Sequence, residues 1–169
     1  ANITLANGDK TATHTPVGFD ATRTTTSRSS GKKYFEIYIG DVESGQQYNG
    51  ICTGSMPSAT YAGSGSHSWS IDGFPFKRHD GGQVAVSVGL ADGVVLGVAV
   101  DLDAGKVWFA INNTWVDSGN PAAGTGEQFN DADIANNNIY GCCSFYAGNQ
   151  NNTLRATSGE FTYTPPSGF

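Results

Sequence analysis

The sequence predicts an all-β fold, a sandwich of two antiparallel sheets in a single domain spanning residues 1–169. Three observations carry this. Short apolar runs recur between turn signals at intervals of roughly 8 to 12 residues. The chain has 23 glycines and only 14% charged residues, with Thr, Ser and Asn crowding the connections, a composition suited to strands and turns. No window of about 12 residues shows the i, i+3, i+4, i+7 spacing of an amphipathic helix. At 169 residues the chain can bury a core that needs no staple.

The elements follow in order. KKYFEIYIG, 32–40, alternates Phe35, Ile37 and Ile39 with Tyr34, Glu36 and Tyr38, which predicts a half-buried strand with Glu36 on its outward face. YNGICTG, 48–54, predicts a shorter strand. Residues 55–83 mix Gly and Ser with Tyr61, Trp69, Phe74 and Phe76 and predict loops around one strand near Trp69. VAVSVGL, 84–90, alternates again and predicts a strand that ends at ADG, 91–93. Val98, Val100 and Leu102 then share one face, as do Val107, Phe109 and Ile111 after the Asp103-Ala104-Gly105 turn. This is a hairpin, with Gly105 placed to take a positive φ.

Asn112-Asn113 tolerates left-handed backbone and predicts a second hairpin into Thr114, Trp115 and Val116. Residues 117–138 predict a long surface connection anchored by Phe129 and Ile134, and Trp108 is assigned to sheet packing. IYGCCSFYAG, a polar tip at 149–152, a strand around 153–157 and EFTYTPPSGF complete the chain. Cys52, Cys142 and Cys143 are an odd, poorly spaced set for a disulfide framework or a zinc site, so free thiols are expected. Cys142 and Cys143 should face opposite sides of their strand. A vicinal disulfide is the alternative.

Charge excludes some partners. With net charge −6 and nine Lys and Arg residues, the chain has no patch suited to a phosphate backbone, so no nucleic-acid partner is expected. No apolar run of about 18 residues is present, so no membrane insertion is expected. The opening ANITLANGDK lacks the basic-then-apolar order of a secretory signal.

Taken together, five segments resemble the SPRY (B30.2-like) family, in the form found in bacteriophage and metagenomic virion proteins. They are SSGKKYFEIYI, GICTG, LGVAVDLDAGKVWFAINN, TWVDSGNPAAGT and FTYTPPSGF, spread over residues 28–169. Two departures stand out: Asp92-Gly93 reverses the family's Gly-Asp order before the hairpin, and Arg155-Ala156-Thr157 replaces its Asn-Phe-Gly motif. The resemblance implies a concanavalin-like bent sandwich acting as a non-catalytic binding module, with no cofactor. It implies a phage virion protein, made in the host cytoplasm, that recognises a host-surface glycan or protein through its loop face. An assembly or decoration protein that binds other capsid or tail subunits, and oligomerises through the virion, is the alternative.

Motifs for catalysis are missing: there is no G-x-S-x-G, H-E-x-x-H or phosphate-binding loop. His67 and His79 with Asp72 and Asp80 suggest a metal or a His–Asp pair, but no third ligand is distinctively spaced, and no metal is expected. Asp131 and Asp133 could supply oxygens to calcium, yet the segment lacks an EF-hand's Gly and Glu. A glycan-cleaving enzyme using Asp101 and Glu36 is a remote alternative. The better signal is a set of aromatic and polar residues in or beside inferred loops, suited to sugar rings or protein partners. The candidate ligand-binding residues are Tyr48, Tyr61, Trp69, Phe74, Arg78, His79, Asn112, Trp115, Tyr146 and Asn149.

Overall fold

Strand pairing in the computed structural model, which describes residues 2–15, 17–43 and 45–169, is antiparallel throughout and forms two sheets. With strands numbered in chain order, one sheet runs β1 (Ile3–Ala6), β2 (Thr11–His14), β14 (Asn151–Arg155), β4 (Lys32–Asp41), β9 (Val95–Asp101), β10 (Lys106–Ile111) and β11 (Thr114–Trp115). A short β12 (Phe129–Asn130) also pairs with β10. The second sheet runs β3 (Asp20–Arg23), β13 (Ile139–Phe145), β5 (Gln47–Thr53), β6 (Ser68–Asp72), β7 (Phe76–His79) and β8 (Gly82–Ala85).

The predicted alternations build the inner faces. Phe35, Ile37 and Ile39 of β4 join Leu96, Val98 and Val100 of β9 and Val107, Phe109 and Ile111 of β10. Against them the second sheet sets Ile51, Trp69, Ile71 and Ile139. Burial of these side chains, about 1.5–3 kcal/mol each, is the main force joining the sheets. Gly105 has φ 68° in the β9–β10 turn, and Asn112 and Asn113 have φ 47° and 66° in the next, so both predicted hairpins form as read. Cys52, Cys142 and Cys143 are free and buried. Cys142 packs with Cys52 on the second sheet's outward face, and Cys143 lies on the other face beside Phe145 and Ala12.

Four expectations are corrected. The run 84–90 is strand only to Ala85; Val86 and Leu90 are buried because their N–H groups donate to the carbonyls of Pro75 and Asp72, which holds an irregular segment against the core. Residues 55–83 hold three strands rather than one, since β7 and β8 extend the sheet beyond β6. The connection 117–138 contains a short helix, α1 (Ala132–Asn136), capped by the Asp131 side chain and anchored by buried Ile134. Its second buried anchor is polar: Gln128 accepts from Phe109 N at 2.7 Å and donates to Val116 O at 2.9 Å.

The fourth correction concerns Glu36, which stands on the outward face of β4 yet is fully buried. The C-terminal segment folds over it. Its carboxylate accepts from Thr162 N at 2.7 Å, Tyr163 N at 2.9 Å and the Tyr34 hydroxyl at 3.0 Å, with Arg155 at 3.7 Å. Burial, with this carboxylate alongside, pushes the Tyr34 phenol well above its ordinary value. Phe161 meets Tyr34 edge-on at 5.1 Å and Phe169 meets Trp108 at 6.1 Å. Glu36 and Asp101 therefore serve structure: Asp101 accepts from Ala104 N and pairs with Lys32.

Glu36→Ala leaves two backbone donors and a phenol without their acceptor. It should lower unfolding free energy by about 3 kcal/mol, measured by urea titration, and should expose residues 156–169 to limited proteolysis.

Candidate recognition site

Small side chains on the outward face of the second sheet let a loop lie flat on it. In β6, Trp69 and Ile71 turn inward while Ser68, Ser70 and Asp72 turn outward. Three serines then pin the loop before β6. Ala62 N donates to Ser144 Oγ at 2.8 Å, Gly63 N donates to Ser68 Oγ at 2.7 Å, and Ser70 Oγ donates to Ala62 O at 2.6 Å. Gly63 has φ 97°, and a Cβ there would lie 2.5 Å from Arg78 Cβ, so glycine alone permits this approach.

Asp72 organises what stands beside that loop. Its side chain is 0% exposed; Oδ1 accepts from Phe74 N and Phe76 N, both at 2.9 Å, and Oδ2 accepts from Arg78 Nε. Held in this way, the Arg78 guanidinium sits 5.4 Å from the Tyr48 ring centre, 5.9 Å from Tyr61 and 5.4 Å from Phe76, all within cation–π range. Its Nη1 donates to Gln83 at 2.7 Å.

The aromatic rings continue outward from this cation. Tyr48 and Tyr61 lie 4.8 Å apart, Phe19 is 5.2 Å from Tyr61, and Tyr146 is 4.8 Å from Phe19. Tyr48 is buried beneath the others; Phe19, Tyr61 and Tyr146 are half-buried and keep one side toward solvent. Burial pushes the Tyr48 phenol above its ordinary value, against the opposing effect of Arg78.

A second polar knot holds the Phe19–Tyr146 end. His14 is buried and stacks on Phe145 at 5.9 Å. Its Nδ1 faces Ala147 O at 3.0 Å and its Nε2 faces Asp20 Oδ2 at 3.2 Å, and Asn2 donates to the same oxygen. Burial acts to raise the Asp20 carboxyl, but the His14 and Asn2 hydrogen bonds outweigh it and hold the group below its ordinary value.

Of the ten residues singled out in the sequence, Tyr48, Tyr61, Arg78 and Tyr146 come together here; the others lie elsewhere. Trp69 is 0% exposed on the inner face, where its Nε1 donates to Asp131 at 3.1 Å, so it is framework and cannot meet a ligand at the surface. His79 stacks on Trp69 at 4.9 Å and pairs with Asp131 at 3.0 Å. Its acid is thus Asp131, the helix cap, rather than Asp72 or Asp80. Phe74 is 42% exposed at the β6–β7 turn. Asn112 accepts from Val95 N at 2.9 Å and Asn149 takes φ 67°, so both shape turns. Trp115 is half-buried at the edge of the other sheet.

Two members were missed. Phe19 precedes a strand that no sequence pattern marked, and Asp72 was weighed only beside the histidines. The S-W-S-I-D alternation could have revealed an outward-facing Asp72 in need of a cation. Among the described residues no three His, Cys, Asp or Glu side chains are grouped to hold a metal.

The family model of the SPRY domain matches residues 32–160. The SPRY domain of human HERC1, known from a crystal structure, superposes with a TM-score of 0.73 at 17% sequence identity, covering 94% of each chain. No curated protein sequence matches the chain.

Two predictions follow from the polar knots. Arg78→Ala leaves Asp72 buried without its cation and should cost about 3–5 kcal/mol of stability, read from thermal and urea unfolding. The lowered Asp20 carboxyl stabilises the fold above its unfolded value, about 3.9, and that contribution is lost as pH falls through the lower folded value. Asp20→Asn should therefore flatten the decline of the thermal midpoint below about pH 4.

Proposed function

The chain belongs to the SPRY domain family, and from that premise we propose that it is a non-catalytic module that binds a polypeptide segment across Phe19, Tyr61, Tyr146 and Arg78. SPRY domains are in general protein-binding modules. The observation that carries the reading is the half-open cluster of three mutually tilted aromatic rings beside a guanidinium fixed by a buried carboxylate. Tyr and Arg are the residue types that dominate binding energy at interfaces. Serine pins and the Asp72 pair hold them in place before a partner arrives, which lowers the ordering cost of binding. Phe74, 42% exposed, and Val17, 74% exposed, are further apolar contacts available at the surface.

The resemblance of TWVDSGNPAAGT and FTYTPPSGF to phage members supports a virion setting. There the partner would be a host-surface protein or another virion subunit. Aromatic faces also stack on sugar rings, so the test includes glycans.

Peptides selected from a random library on the wild-type protein should bind in titration calorimetry. Tyr61→Ala and Tyr146→Ala should each weaken them by about tenfold or more without loss of fold by circular dichroism, and Trp115→Ala should leave binding unchanged. Failure to select any peptide, together with glycan-array binding that Tyr61→Ala abolishes, would replace the polypeptide by a sugar.

A further inference from the structure

A cleft lies between the sheets, where β3 and β13 face β2, β14 and β4. The cleft encloses about 540 Å³, within the range of small-molecule pockets. None of Phe19, Tyr48, Tyr61, Arg78 or Tyr146 lines it, so it is separate from the recognition face.

Its walls and its mouth differ in chemistry. Apart from Asn152, the buried lining is largely apolar, with Ile37, Ile51, Val100, Leu102 and Ile139. The Cys143 thiol also lines it, and burial pushes that group up to about 12, so it stays neutral at physiological pH. Of the ionisable side chains at the more exposed positions, Lys10, Arg23, Arg28 and Lys33 are cationic, and Asp9 alone is anionic. In a protein of net charge −6, this is a local reversal of sign.

Lys33 is the informative cation. It sits in register with Val100 on the inward-facing row of β4 that continues through Phe35 and Ile37. Lys33 is half-buried: its stem lines the cleft while its Nζ reaches out beside Gly31. Among the described residues no carboxylate lies within ion-pair distance of Lys33 or Arg28, whereas Lys10 pairs with Glu160 and Arg23 lies over the Tyr140 ring.

Deeper in, Asn152 supplies an independent sign of an occupant. It is 3% exposed and lines the cleft. Its Nδ2 donates to Asn49 at 2.6 Å, which fixes the amide, yet among the described residues its Oδ1 has no hydrogen-bond partner, with the Cys143 thiol beside the amide. A buried carbonyl without a donor is unfavourable and rare, and a ligand hydroxyl would satisfy it.

We propose that this inter-sheet cleft binds a medium-chain acyl carboxylate that carries a hydroxyl, with the carboxylate at Lys33 and Arg28, the chain against the apolar walls and the hydroxyl donating to Asn152 Oδ1. The same chemistry is found in free hydroxy acids and in anionic lipids of a membrane. The depth of Asn152, 3% exposed below the apolar side chains, favours a free acid that can enter the cleft whole.

Titration calorimetry with ω-hydroxydecanoate, decanoate and decanol tests this. The hydroxy acid should bind saturably and about tenfold more tightly than decanoate. Lys33→Glu should weaken both acids by about tenfold while leaving decanol unchanged, which also shows that the cleft is intact. Thr22→Trp, which fills the cleft from half-buried β3, should abolish all three. No saturable binding of the hydroxy acid, equal affinity in Lys33→Glu, or association only with phosphatidylglycerol vesicles would overturn the proposal. Peptide binding to the aromatic face should be the same in Lys33→Glu, so the two sites fail or succeed separately.

Discussion

A carboxylate removed from water must find its countercharge and its hydrogen bonds inside the protein, and Asp72 meets that demand in a way that shapes one whole side of the molecule. Two backbone N–H groups of the β6–β7 turn and the Arg78 side chain converge on it. The turn is thereby tightened, and the guanidinium is held beside Tyr48 and Tyr61. Remove the acid and the cation has no reason to lie there. The aromatic face would lose its floor, and the loop through Gly63, which passes against Arg78, would lose its seat.

The same logic governs the opposite surface. A two-sheet sandwich has two outward faces as well as a core, and in this chain a segment remote in sequence covers one and the loop between β5 and β6 covers the other. Glu36 captures the C-terminal segment by two backbone N–H groups, and the rings of Phe161 and Phe169 close over Tyr34 and Trp108. On the second sheet the cover is the loop 54–67, attached through Ser68, Ser70 and Ser144. The difference between the covers is functional. The C-terminal one carries a structural acid beneath it, whereas the loop brings Tyr61 beside Phe19, Tyr48 and Arg78 and leaves rings open to a partner.

What the sequence made legible was whatever local pattern determines. The alternations at 32–40 and 95–111 set the inner faces, and Gly105 with Asn112-Asn113 set two turns, because side-chain period and backbone preference act within a few residues. What stayed hidden depended on distant covers. Glu36 looked solvent-facing because its partner, Thr162, lies 126 positions away. Val86 and Leu90 alternated like a strand because both are buried, although their N–H groups bond to a turn. Trp69 looked like a loop aromatic until β7 and the 128–134 segment closed around it. Four members of the candidate site were recognised as residue types suited to binding; that they form one cluster with Phe19, on the second sheet's outward face, follows from the loop's three serine contacts and from no motif.

The direct test of the account is to locate a bound partner on the protein. Amide and side-chain resonances of the isotopically labelled protein, followed during titration with a selected peptide, should shift at Phe19, Tyr61, Arg78 and Tyr146 while those of Asn112 and Trp115 stay in place. Shifts concentrated at Asn112, Trp115 and the β10–β11 turn, with the aromatic face silent, would contradict it and move recognition to the edge of the other sheet.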